Sequence, residues 1–332
     1  MVRGDVGWNT TSGGIQASLS SQHLPAAASN SINDANDVLH ALNPNPMHVP
    51  NVQHPAAHEN ELRNVEKITF GGYGKRKGKF LSITGVAVSA DNEIFVTDGK
   101  NQRVQVFSID GTLLRLFPTI VPGESTRMHP HGVASDVESG YLWVLGKSSR
   151  SNGHVVQYSK NGQPIKKFDV SLKSFYPVIA MNVRNNKVIV GDKTTIMMFD
   201  PNGSRIWSSK VPTEDAIRGV TSDKEGNVLL TDWHKTIQKY NSSGVKILEF
   251  GTCGKVEGQL NSPVGICLDT SGRIIVANNM NHRVDIFTSQ GKFVGTIAKI
   301  SYPWAVAMGP RGELVVTSPY KVTIFPRHMV LP

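Results

Sequence analysis

Only two cysteines, Cys253 and Cys267, occur in the 332 residues. Two thiols cannot build a disulfide framework, and they are too few for the zinc sites of zinc-finger modules. Free thiols in a reducing compartment are the expectation, with Cys267 in or beside the core and Cys253 in a loop. Long apolar runs are missing as well. None approaches 18 residues, which argues against a membrane-spanning helix. Met1-Val-Arg-Gly-Asp5 does not read as a signal peptide. The sequence therefore predicts a soluble, cytoplasmic protein with no membrane partner. The Asn-x-Ser/Thr triplets at Asn9, Asn202 and Asn241 are then chance matches.

Basic residues are scarce in the first 64 positions, where Arg3 and Arg63 face Asp5, Asp34, Asp37, Glu59 and Glu61, a balance of −3. This stretch is rich in Asn and Pro and carries Ala26-Ala27-Ala28. It reads as a solvated, disordered tail over 1–64, with Ser31 to Leu42 able to form a short helix bearing Val38, Leu39 and Leu42 on one side. The formal net charge of +9 is thus unevenly placed, because residues 65–332 carry +12. A basic domain behind an acidic-leaning tail points to an acidic partner, nucleic acid first. The plainer reading is that the charge aids solubility.

What the chain has is a repeat. Thr84 to Asp98 and Val264 to Asn278 share a strand–turn–strand pattern, each followed by Asn-x-Arg-Val-x-[Val/Ile]-Phe at Asn101–Phe107 and Asn281–Phe287. Equivalent first-strand positions fall at Gly85, Gly132, Val178, Gly219, Gly265 and Ala305, a period of roughly 40 to 47 residues that reads as propeller blades. Period-two apolar residues such as Val86, Val88, Ile94, Val96, Val104 and Val106 mark the strands. Polar turns rich in Asn and Gly, such as Asp91-Asn92 and Ser271-Gly272, close the first hairpins. A second turn set, Asp110-Gly111 to Gln290-Gly291, has five members, because the last copy stops after Lys321–Phe325 and Pro326. Val65–Phe70 supplies the missing strand. The expected fold is all-β, a six-bladed β-propeller over 65–326, its last blade closed by the N-terminal strand, with 327–332 a C-terminal tail.

Propeller geometry puts second-to-third-strand loops and blade connections on one face, and variable loops on a rigid scaffold usually carry function. About seventeen basic residues fall in those loops against about seven acids, an electrostatic footprint. Among the bases are Lys75, Arg76, Lys77, Arg127, Lys147, Arg150, Lys173, Arg218, Lys235 and Lys299, and Glu214 is one of the acids. His129, His131, His154, His234 and His282 fall there too, as do Tyr73, Phe80, Phe175, Tyr176, Trp233, Tyr302, Trp304 and Tyr320. Cations that neutralise phosphates, mixed with rings on which unstacked bases can lie, suit single-stranded RNA. Arg103 and Arg283, opposite Asp98 and Asn278, read instead as structural braces. Phe175-Tyr176-Pro177 and Pro303-Trp304 could plug the centre. Trp233-His234-Lys235, mid-loop, is the stronger functional candidate. His234, Asn278, Asn279 and His282 are expected to reach base edges, whereas Asp91, Asn186 and Arg273 lie on the opposite face.

Pro263 to Phe287 resembles the NHL repeat almost throughout, and Ile83 to Phe107 does so with Thr84 in place of the proline. Lys67 to Gly71, then Gly74, Gly78 and Phe80, is similar to the family's lead-in. The copies at 132, 178, 219 and 305 are more degenerate, and the one at 132 has lost Asn-x-Arg. The whole is similar to the TRIM-NHL (brain tumor) family. That resemblance implies a C-terminal domain which binds single-stranded or hairpin RNA, or recruits protein partners, for a regulator or a ubiquitin ligase. The RING, B-box and coiled-coil segments of such proteins are not in this sequence, so it is expected to be a fragment, a truncated product or an NHL-only member, without ligase activity.

Three function classes compete. RNA binding by the basic face comes first and a protein-interaction platform on the same face second. A metal-dependent lactonase or lyase is the third, since some six-bladed propellers carry metal ligands at the central opening. Here the residues at that opening are Thr84, His131, Val178, Arg218, Val264 and Trp304. A histidine beside an arginine is not a metal site, so no metal, cofactor or catalytic residue is expected.

Overall fold

The computed structural model describes residues 66–136, 139–149, 152–213 and 215–330. The expected tail and its helix, Val65, Arg150 and Glu214 lie outside the described residues. Six four-stranded antiparallel sheets are present, each running in sequence order from the inner to the outer strand except one. That sheet consists of Val306–Met308, Leu314–Thr317 and Lys321–Phe325, completed on the outside by Ile68–Gly71. The closing register pairs Ile68 with Ile324 and Phe70 with Val322. The expected closure by the N-terminal strand is therefore present, with the strand beginning at Ile68.

Burial explains why the strands differ in pattern. Second strands lie between two neighbouring blades and are buried on both faces, as in Ile94–Asp98, Val228–Asp232 and Ile274–Asn278. Outer strands such as Arg205–Lys210 alternate between solvent and the sheet. Apolar side chains gather into six clusters, one at each blade–blade interface. The cluster between the sixth and first blades joins Val315, Val322 and Ile324 to Phe80, Ile94 and Phe107, with Ile68 and Phe70 packed against it. Phe70 and Phe107 have ring centroids 4.5 Å apart. The ring is thus sealed by side chains as well as by hydrogen bonds. Arg327–Val330 form a helical turn whose Val330 is buried in the cluster between the fifth and sixth blades.

At the axis the inner strands come closest, and at some inner-strand positions not even a Cβ fits. A Cβ at Gly265 would meet the Trp304 carbonyl at 2.7 Å and Ala305 Cα at 2.8 Å, and one at Gly219 would press on the Val264 carbonyl. Glycine at these inner-strand positions is a packing requirement.

The two Asn-x-Arg copies fasten a glycine-rich loop. Arg103 Nη2 donates to the Arg76 and Lys79 carbonyls, at 3.0 and 2.7 Å, and Asn101 donates to Gly74 O. In the fifth blade Arg283 donates to the Lys255, Val256 and Gln259 carbonyls, and Asn281 to Gly254 O. The bracing role expected of both arginines is present. Their carboxylate partners differ, however. Arg103 pairs with Asp98 at 3.1 Å, whereas Arg283 pairs with Asp285 at 2.8 Å. Gln105 stands where the fifth blade has Asp285, and Asn278 where the first has Asp98; all four are fully buried. Acid and amide have exchanged strands, leaving one carboxylate per arginine.

Candidate functional site

The loop that Arg103 and Asn101 hold runs from Gly71 to Phe80 through four positive-φ glycines, Gly71, Gly72, Gly74 and Gly78. Its tip presents Lys75, Arg76 and Lys77, all exposed. Beside them Tyr73, 71% exposed, meets Tyr320 edge-on at 5.1 Å. The NHL signature residues thus spend their side chains on the loop backbone, which leaves the tip cations free to face outward. Phe80 ends the loop in the core and does not belong with the exposed rings.

Nearer the axis, three blades contribute to one stack. Arg218, on the inner strand of the fourth blade, places its guanidinium carbon 4.9 Å from the Tyr176 ring and 4.4 Å from the Trp233 ring. Trp304 packs edge-on against Tyr176 at 5.6 Å. Arg218 Nε and Nη1 are buried without a hydrogen-bond partner, and burial lowers the guanidinium pKa, with Asp215 and Tyr176 opposing it through space. Phe175 is 84% exposed, so it is not a plug; Pro177 and Pro303 are the buried neighbours.

A groove of about 490 Å³ opens between the first and second blades and reaches Tyr176. Its lining includes Lys100, Lys147, His129, His131, Ser148 and Ser149, and no Asp or Glu. That volume falls in the range of small-ligand sites, and the charge is of one sign. His129 is held by Gly99 O at 3.1 Å and Gln102 at 3.2 Å, and Gln102 also donates to the carbonyl of exposed Arg127. Lys147 donates to Ser174 O at 2.7 Å. His131 Nδ1 is buried with no partner, and its pKa is pushed down to about 4 by burial, then by Lys147 and His129. It is neutral at physiological pH.

The remaining sequence candidates divide. His234 is exposed, with its backbone N–H on Asp232, and Lys235 is half-buried beside it. His282, at φ 54°, faces Tyr302 edge-on at 4.3 Å and accepts the Tyr302 N–H at Nδ1. Lys299 and Lys173 are exposed at loop edges. Asn278 and Asn279 do not reach the surface. Asn278 binds Gln259 O, Asp285 and the Asn261 N–H, and Asn279 binds Pro303 O. Their side chains hold loops, which corrects the expectation that they meet base edges. His154 is likewise interior, bonded to Asp169 at 2.7 Å and Ser148 at 2.8 Å. On the opposite face, Asn186 donates to Asp136 and Arg273 pairs with Asp269, so both are structural; Asp91 is exposed and pairs with Lys160.

The Arg218 stack and the serine-lined groove were missed as units because their members come from different blades. The one available signal was the equivalence of Thr84, His131 and Arg218 at the mouths of inner strands. Among the described residues no cluster of His, Cys, Asp or Glu could hold a metal, and no helix is long and apolar enough to cross a membrane.

Comparison with known proteins agrees with this architecture. Residues 80–107 and 260–287 match the NHL repeat family, and these are the two stapled copies. The chain is 31% identical over 137 residues to Protein brain tumor of Drosophila melanogaster, covering 41% of this chain and 13% of that protein. It is 50% identical over 48 residues to Protein lin-41 of Caenorhabditis elegans, covering 14% of this chain and 4% of that protein. Human E3 ubiquitin-protein ligase TRIM32 is 20% identical over 296 residues, covering 76% of this chain and 43% of that protein. The matched part therefore spans well under two thirds of each relative. Among solved structures, a streptogramin B lyase superposes with TM-score 0.55 at 12% identity, over 78% of this chain and 96% of that one. A gluconolactonase of Xanthomonas campestris does so with TM-score 0.57 at 16% identity, over 74% and 86%. At such identities the likeness speaks for the fold alone. The chain is an NHL-repeat β-propeller homologous to the C-terminal domains of the TRIM-NHL and brain tumor proteins.

Proposed function

We propose that the long-loop face binds single-stranded or hairpin RNA without catalysing a reaction, and that the binding unit lies within 65–326. The observation that carries this reading is the groove whose charged lining is entirely basic, ending at Tyr176, whose ring already packs on the Arg218 cation. Lys75, Arg76, Lys77 and Arg127 extend the positive surface outward, and Tyr73, Trp233 and Tyr302 offer faces for bases. Ion pairs with phosphates set the salt dependence, while stacking is nearly salt-independent. Replacing Lys75, Arg76 and Lys77 by Ala is expected to weaken all sequences alike and to flatten the salt slope by roughly 0.7 log unit for each phosphate no longer neutralised. Tyr302→Ala is expected to cost about 1–3 kcal/mol with the slope unchanged. Asp91→Ala is the opposite-face control. Fluorescence anisotropy on folded variants at several salt concentrations checks this, and equal effects of the control and the face variants would overturn it.

A second reading has its own observation. Val256 and Met280, 65% and 46% exposed, sit in the loops of the fifth blade on the same face. Apolar side chains without charge suit a protein partner, such as a substrate recruited for a ubiquitin ligase pathway. Val256→Ser with Met280→Ser, which removes the apolar surface without adding charge, is expected to abolish such recruitment and to leave RNA binding within about twofold, since neither residue supplies a cation or a ring.

A further inference from the structure

Arg218 differs from the other well-buried arginines of the propeller. Arg103 and Arg283 are each paired with a buried carboxylate, whereas Arg218 has no ion pair among the described residues. The Tyr176 and Trp233 rings pack against its guanidinium, and Nε and Nη1 remain buried donors without a partner. An unmet buried donor is expensive, and a second unpartnered buried polar atom, His131 Nδ1, lies at the equivalent position two blades away. Both side chains line a small axial pocket of about 80 Å³, bounded by the six inner strands and containing no Asp or Glu. This pocket and the basic groove share Thr84 and His131 in their walls. It is far below the size of small-ligand sites, so it suits a single compact group.

Building on the RNA reading, we propose that the axial pocket seats the terminal phosphate of a bound RNA strand. A phosphate inside a strand continues into nucleotides on both sides, and a pocket walled all round by six strands admits only an end. A phosphate monoester carries close to two negative charges at neutral pH, against one for an internal diester, and so matches a desolvated guanidinium better. Arg218 supplies the charge and planar donors, and His131 Nδ1 a further polar contact. Tyr176 and Trp233 hold the guanidinium in place, so the pocket is organised before the ligand arrives. The groove between the first and second blades then leads the strand away from its anchored end.

The test compares one ten-nucleotide RNA with a 5′-phosphate, with a 3′-phosphate or with hydroxyls at both ends, using the full chain at one salt concentration. One phosphorylated form is expected to bind about tenfold tighter than the hydroxyl form, the scale of one or two charge-assisted hydrogen bonds. Inorganic phosphate should erase that preference, and Arg218→Lys, which keeps the charge but loses the stacked plane, should reduce it to near unity. The phosphate competition needs no variant, so the result stands even if Arg218→Lys is poorly folded. Equal binding of all three RNAs overturns the strand-end assignment and leaves the RNA reading intact. If no RNA binds but inorganic phosphate raises the melting temperature, the RNA reading falls and the strand-end assignment with it. If neither binds, both fall.

Discussion

Asp98→Asn removes the carboxylate that Arg103 holds at 3.1 Å in a site where the acid is fully buried. Breaking a buried pair from one side is expected to cost about 3 kcal/mol and to loosen the Lys75–Lys77 tip that Arg103 secures. The fifth blade carries the mirror arrangement, with Asn278 and Asp285, so Asp98→Asn combined with Gln105→Asp should recover at least half of the loss. Urea unfolding of the single and double variants checks this, and additive destabilisation would contradict it. His131 gives a pH signature. Its folded value of about 4 lies below the ordinary 6.5, so the unfolded chain binds more protons between those limits. The stability it contributes is present above about pH 6.5 and is lost as pH falls toward 4. His131→Gln should flatten that stretch of the stability profile by about 1–3 kcal/mol. At this scale the sequence was legible for residues whose role repeats. Arg103 and Arg283 declared themselves by a shared position, while Arg218 did not, because its partners lie 42 residues before and 15 after it. Asn278 and Asn279 were misread because polarity alone does not tell an exposed amide from one serving buried backbone groups.

The closing strand is the element on which the ring depends. Ile68 and Phe70 pack against the cluster between the last and first blades, and Gly72 N–H donates to Tyr320 O at 2.7 Å. Removing residues 1–72 should therefore expose the edge of Lys321–Phe325 and lower the melting temperature sharply, by about ten degrees or more, the scale expected for losing two packed apolar side chains. Removing 1–60 should change it little. Equal melting temperatures of the two truncations would contradict the closure. Strands and blades were readable because two buried faces force near-continuous apolar second strands, and tight hairpins force residues tolerant of positive φ. Asn92, Asn186, Gly226 and Gly272 all adopt it in the first-hairpin turns. Loop trajectories were not readable, since Phe80 and Asn279 turn inward from segments that look polar.

For the molecule as a whole, the two faces of the propeller differ in how their charges are paired. The opposite face closes hairpins and pairs its charges, as Arg273 with Asp269 and Lys239 with Asp223 do. The long-loop face leaves Lys75, Arg76, Lys77, Lys173 and Lys299 exposed and holds, between the first and second blades, a groove whose charged lining is basic. On the RNA reading, the net positive charge of that face raises the encounter rate with polyanions, and rings within it supply affinity that salt does not screen. The most direct measurement is selection of RNAs bound by the full chain from a random pool at two salt concentrations. One short single-stranded or loop motif is expected to enrich at both salts, with affinity falling as salt rises. A pool that binds only at low salt and enriches no motif would contradict RNA recognition by this face, since that is the behaviour of a basic surface alone.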